Sequence, residues 1–304
     1  MGSVKFAVFT DLHHDVIPDG LERLEKFMKR AGEAEVDFII ELGDFCCPHH
    51  KNKELLKVFH SFNKPHYHVI GNHDTDLYTK KDLMNWLGMD HSYYTFECGN
   101  VKFIVLDSSF IKYGNEYEVY YRRNYEKTEG IYPSIPDYEL TWLQREISES
   151  SLPIVIFSHH SLDNNFRNRG VANREEVNSI INKAADEKKI LICVNGHDHA
   201  DSINKINKTY YFTLNAMSYK WLGSEYEHFC YSREIHSKYP YLKDIFLYNE
   251  PLSAVISIDE KNNIDIQGMK GDYQKITPKE LGITGTFDGR IISSNVSSKS
   301  LMYK

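Results

Sequence analysis

Through the first two-thirds of the chain, short apolar runs alternate with stretches whose apolar positions recur every three to four residues. Residues 4–10 (VKFAVFT) predict a buried strand, and residues 20–35 place Leu21, Leu24, Phe27, Met28 and Ala31 at helical spacing. The same alternation predicts strands at 37–42, 65–70, 153–157 and 190–194 and helices at 53–62, 80–87, 138–149 and 174–187. Residues 93–97 and 101–107 flank Gly99-Asn100 and predict a hairpin. From residue 201 strands dominate, at 202–206, 210–214, 254–258 and 264–267. Helix–strand alternation followed by strands points to an α/β fold with mixed sheets. No repeat or linker interrupts it. We expect one domain over 1–304, with the polar motifs in 4–215 and a strand-rich extension over 216–304.

Polar clusters punctuate five of these strands. Asp11-Leu12-His13 follows the first, Gly43-Asp44 the second and Gly71-Asn72-His73-Asp74 the third. Ser158-His159-His160 and Asn195-Gly196-His197-Asp198-His199 follow the strands at 153–157 and 190–194. In open α/β sheets ligands bind beyond the carboxyl ends of the strands, so a shared sheet edge would gather these clusters on one rim. Asp, Asn and His offer oxygen and imidazole ligands without thiolate, a set suited to Mn, Fe, Co, Ni or Zn. In Asp11-x-His13 and His197-x-His199 the side chains two apart point the same way in extended backbone. A single Gly-Asp or His-x-His is usually a turn or an exposed pair. Five such clusters, each ending a strand, reverse that expectation.

Composition adds three constraints. Fifteen of 304 residues are histidine, the commonest metal ligand, which agrees with the clusters. A net charge of −7 and the lack of a basic stretch argue against a nucleic-acid polymer or an anionic membrane as partner. Five cysteines without a C-x-x-C pair suggest reduced thiols, and with a strand starting at residue 4 no signal peptide is expected. A cytoplasmic location is the expectation.

The clusters resemble the calcineurin-like metallophosphoesterase superfamily, whose pattern runs D-x-H, G-D, G-N-H-[DE], H and G-H-x-H. Here it stands as Asp11/His13, Asp44, Gly71-Asn72-His73-Asp74, His159 and Gly196-His197-Asp198-His199, in order. The resemblance implies two mixed β-sheets packed as a sandwich with helices on the outer faces, and two transition-metal ions (Mn, Fe or Zn) at the sheet edge. One ion would be held by Asp11, His13, Asp44 and His199, the other by Asn72, His159, His197 and the shared Asp44. Such a site hydrolyses a phosphoester with water activated between the ions. His73 would stabilise developing charge or protonate the leaving oxygen, and Asp74 would orient His73 or another group beside the ions.

Departures from the pattern narrow the branch. Gly43-Asp44-Phe45-Cys46-Cys47-Pro48 lacks the arginine of the G-D-x-V-D-R-G motif of protein Ser/Thr phosphatases. Cys47 stands where purple acid phosphatases carry tyrosine. The layout is most similar to the class III cyclic-nucleotide and glycerophosphodiester phosphodiesterases, which implies a small anionic phosphodiester as substrate. A phosphomonoesterase or nucleotide pyrophosphohydrolase is the alternative, and a non-catalytic scaffold a distant third. Two segments are candidates for selecting the substrate. Residues 110–138 carry seven tyrosines with Arg122 and Arg123, and residues 219–241 carry Trp221 and further tyrosines. His14, His160, Arg167 and Arg169 are candidate substrate contacts beside the ligands.

Overall fold

A computed structural model describes residues 2–126, 133–163, 169–185, 190–287 and 289–303. Its first sheet is built on β1 (Val4–Phe9), with β2 (Phe38–Glu41) and β3 (His66–His68) parallel on one side. On the other side β15 (Ala254–Ile258), β16 (Ile264–Gln267) and β21 (Lys299–Leu301) add antiparallel strands. In the second sheet β5 (Val101–Val105), β9 (Ile154–Ser158), β10 (Ile190–Asn195) and β12 (Thr209–Thr213) run parallel. Antiparallel β4 (Tyr94–Cys98) and β11 (Ser202–Ile206) form its edges. Strands β15, β16 and β21 thus carry the extension into the same sheet as β1.

The sheets pack face to face, as the resemblance implied. Phe6 and Phe38 stack at 4.9 Å on the first, and Phe38 meets Phe103 of the second at 5.0 Å. Aromatic edge and stacking contacts of this kind add specificity to the burial of apolar area. Helices α1 (Gly20–Glu33), α2 (Lys53–His60) and α3 (Lys80–Leu87) cover the outer face of the first sheet with Leu24, Phe27, Leu55, Phe59 and Leu83. Helices α4 (Asp137–Glu149) and α5 (Arg174–Ala185) cover the second with Leu143, Ile147, Val177 and Ile181.

Two regions were less legible. The segment after β5 forms a small sheet of β6 (Phe110–Tyr113), β7 (Glu116–Val119) and β8 (Pro133–Ser134). Its exposed positions alternate tyrosine with charge, so no apolar face announces the strands. Beyond β12 the chain makes the hairpin β13 (Tyr219–Trp221)/β14 (Ile245–Leu247), enclosing α6 (Arg233–Lys238). Two short ladders, β17 (Met269–Lys270) with β20 (Asn295–Val296) and β18 (Thr286–Phe287) with β19 (Arg290–Ile291), complete the extension. All five cysteines are free, and among the described residues no helix is long and apolar enough to cross a membrane.

Candidate dinuclear metal centre

The carboxyl ends of β1, β2, β9 and β10, with the turn after β3, meet at one edge of the sandwich. Backbone hydrogen bonds lace these ends together: Asp11 N–H donates to Gly43 O (3.0 Å), His13 N–H to Asp44 O (2.8 Å) and Gly196 N–H to His159 O (3.1 Å). The turns are tight enough to force unusual backbone. Asp11, His13, Asp44, His197 and His199 all adopt left-handed φ, between 44° and 66°. A side chain at Gly71 would strike Asp44, and one at Gly196 would strike Thr10. Only glycine permits that approach.

The seven expected ligands form two groups sharing one carboxylate. In the first, His13 Nε2 lies 3.3 Å from His199 Nε2 and 3.5 Å from both Asp11 Oδ1 and Asp44 Oδ2, and His199 Nε2 lies 3.2 Å from Asp11 Oδ1. In the second, His159 Nε2 lies 3.3 Å from Asp44 Oδ2, 3.1 Å from Asn72 Oδ1 and 3.3 Å from His197 Nδ1. The opposite ring nitrogens are anchored. His159 Nδ1–H donates to Leu42 O (2.7 Å) and His199 Nδ1–H to Tyr219 O (2.8 Å), which turns each Nε2 lone pair inward. Asp11 Oδ2 takes Thr10 Oγ1–H (2.6 Å) and His197 N–H (2.9 Å), and Asp44 Oδ1 takes His73 N–H (2.7 Å).

The donor set fits cations. Asp11 Oδ1 is fully buried and has no hydrogen-bond partner, a costly state for a carboxylate oxygen unless a cation meets it. Burial alone would raise both aspartates, yet His199 and His13 hold Asp11, and His159 and His73 hold Asp44, well below the carboxylate range. Burial pushes His197 and His199 down, toward the neutral imidazole that binds metal. It would do the same to His159, but the Asp44 carboxylate lifts that ring to about 10, a sign of how strongly this edge attracts positive charge.

Around the ligands stand residues that position them. Asp74 accepts the backbone N–H of Asp44, Phe45 and Gly71, each at 2.9 Å, and so ties together the turns after β2 and β3. The carboxylate beside the His73 ring is Asp76, 2.9 Å from Nδ1, which also takes Arg123 Nε–H (2.8 Å) and Tyr125 O–H (2.7 Å). The loop carrying His197 and His199 is gripped from three sides. Arg169 donates to His197 O (2.9 Å), Lys220 donates to His199 O (2.8 Å), and Arg290 Nη1 pairs with buried Asp198 Oδ2 at 3.0 Å.

Of the expected substrate contacts, Arg169 lines the cavity above the ligands. His160 and His14 do not: His160 is buried behind His197 with Nδ1 2.8 Å from Ser108 Oγ, and His14 packs against Gly20. A His160 ring nitrogen still lies within 4.8 Å of one on His159 and one on His197, so His160 stands beside the second ligand group from below the cavity. Arg167 lies outside the described residues. Cys47 lines the cavity, and burial with Asp15 and Asp74 nearby pushes its thiol up. Sequence reasoning missed Asp76 and Arg290. Asp76 follows His73 by three residues, a spacing that could have flagged it; Arg290 carries no local signal. The cavity holds about 760 Å³ and runs from the ligands to Leu77, Arg122, Trp221 and Tyr241.

The family model for calcineurin-like phosphoesterases matches residues 4–201. A manganese-dependent ADP-ribose/CDP-alcohol diphosphatase of Oryza sativa subsp. japonica is 30% identical over 129 residues, covering 34% of this chain and 40% of that protein. Among solved structures, a dimetal phosphatase from Danio rerio superposes over 100% of both chains with a TM-score of 0.64 at 13% identity. GAP50, the anchor in the inner membrane complex of Plasmodium, covers 91% of this chain and 90% of its own, with a TM-score of 0.55 at 13% identity.

Proposed function

From the premise that the chain belongs to the calcineurin-like phosphoesterase family and is a metal-dependent phosphoester hydrolase, we propose that it cleaves small substrates whose phosphorus carries two substituents. Such substrates are phosphodiesters, the reading its sequence favours, and nucleotide-type diphosphates. The cavity carries this reading. It holds about 760 Å³, within the range of small-molecule sites, with metal-binding side chains at one end and aromatic rings at the other. The absent arginine after Asp44 counts against a phosphoprotein. The diphosphate form gains support from the rice relative, whose name gives ADP-ribose and CDP-alcohols as its substrates.

The two ligand groups around Asp44 would hold the ions, which when bound would supply Lewis acidity and an activated water. The chain's own groups do the rest. His73 has Nδ1 occupied by Asp76, which leaves Nε2 for the oxygen of the departing group. Burial would lower its pKa, but Asp44 and Asp76 raise it and favour the protonated ring of a general acid. Arg169, held to the His197 carbonyl, places a guanidinium at the wall where phosphoryl oxygens gather charge.

A panel of bis-p-nitrophenyl phosphate, p-nitrophenyl phosphate and ADP-ribose, run on manganese-loaded protein, tests the proposal. The diester or the diphosphate should be preferred, and a strong preference for the monoester would refute it. His73→Ala should lower kcat by about 10²- to 10⁴-fold while metal content is retained. Near-wild-type turnover would remove its role.

A further inference from the structure

The rim of the cavity contains two adjacent arginines in different circumstances. Arg123 is committed: its guanidinium meets Asp76 at 2.8 Å, Tyr241 Oη at 3.2 Å and Glu126 at 4.0 Å. Arg122 lines the same cavity, exposed, and its guanidinium rests over the Tyr121 ring at 4.9 Å. No carboxylate among the described residues stands within ion-pair distance of it. Both residues hold left-handed φ, 49° and 56°, backbone that L residues adopt at a cost. Asn124 fixes this turn by accepting Tyr121 N–H (3.0 Å), and Arg122 N–H donates to Thr75 O (3.1 Å). That last bond joins Arg122 to the turn bearing His73. Arg122 thus lines the same cavity as His73, the residue proposed above to meet the departing oxygen.

We propose that Arg122 is an anion subsite that receives the second phosphate of a diphosphate-linked substrate, which makes the P–O–P bridge the bond this enzyme is built to cleave. The inference rests on the hydrolase reading above and narrows its substrate class. The water oxygen bonds to the attacked phosphorus, and the bond from that phosphorus to the bridging oxygen breaks with its electron pair remaining on the oxygen. The water's protons go to solvent or, by way of His73, to the bridging oxygen, and the products are two phosphate monoesters. As the bond breaks, the departing phosphate gains negative charge beside the guanidinium, whose planar fork suits phosphate oxygens. An interaction that strengthens in the transition state accelerates the reaction. A departing alcohol or phenol carries no second phosphate and gains little from Arg122.

The test compares kcat/KM for ADP-ribose and bis-p-nitrophenyl phosphate in manganese-loaded wild type, Arg122→Ala and Arg122→Lys. Arg122→Ala should lose about ten- to a hundredfold more on ADP-ribose than on the diester, as expected for a charge-assisted hydrogen bond. Arg122→Lys should recover part of that difference, because it keeps the charge and loses the fork. Equal losses on both substrates, or no loss on either, would overturn the subsite. Wild type that cleaves the diester and leaves ADP-ribose intact would overturn it too, with the hydrolase reading standing. Wild type inert toward both would bring down the reading itself.

Discussion

At the floor of the cavity Asp11 is completely buried and His13, Asp44, Asn72 and His199 nearly so, and backbone hydrogen bonds tie Asp11, His13 and Asp44 to neighbouring turns. At the rim, Arg122 is exposed, Trp221 and Tyr241 are each 39% exposed, and their segments are short strands and single helical turns. The floor uses aspartate, asparagine and histidine side chains at the ends of strands that two sheets hold fixed. The rim uses arginine and aromatic residues on excursions from that frame. On the proposed function, reaction type would sit on the floor and substrate choice on the rim, and each could then be altered while the other is left in place.

The largest expected effect comes from the floor. Asp44→Asn removes the charge shared by both ligand groups, and metal analysis should find at least one ion lost and turnover down by about a thousandfold or more. Two retained ions with near-wild-type turnover would show that Asp44 does not bridge. Arg290→Gln probes the floor from a distance. It loosens Asp198 between two ligands, and calorimetric titration should show manganese affinity about 10- to 100-fold weaker, the range for groups that orient ligands. Unchanged affinity would make that ion pair purely structural. Trp221→Ala probes the rim. KM for a nucleotide substrate should rise by about three- to tenfold with metal content constant, the loss expected of one aromatic contact; a lost ion would erase the division between floor and rim.

The smallest effect lies beneath the floor. Glu41 is buried against His68 Nδ1 at 2.8 Å, and burial lifts its carboxyl to about 8. A raised acid contributes stability that is full below its unfolded value of about 4.5 and is lost as pH rises through 8. Thermal melts of wild type and Glu41→Gln at pH 5.5 and 8.5 should therefore show the wild type losing several degrees relative to the variant at the higher pH. A constant gap would mean that Glu41 is ionised throughout.

That these side chains would gather was legible in the sequence because each proposed ligand closely follows an apolar run, as Asp11, Asp44, Asn72, His159 and His197 do. The two-sheet sandwich followed from the resemblance those residues carry. The positioning groups were less legible. Arg290 reaches Asp198 across more than ninety residues of chain, and nothing beside Arg290 marks it. Asp76 was within reach, three residues beyond His73, but its neighbour Asp74 drew the role because it belongs to the motif. His14 and His160 adjoin proposed ligands in sequence but do not line the cavity, His160 standing instead against His159 and His197.

The left-handed backbone at five ligand residues has a consequence beyond geometry. Each such residue costs roughly 1 kcal/mol, so together they cost on the order of 5 kcal/mol, against a net folding stability of about 5–15 kcal/mol. The fold carries that burden whether or not the enzyme is turning over. Ions that bind only the folded chain offset it by mass action, so a cell's supply of metal would govern how much of this protein survives as well as how fast it works.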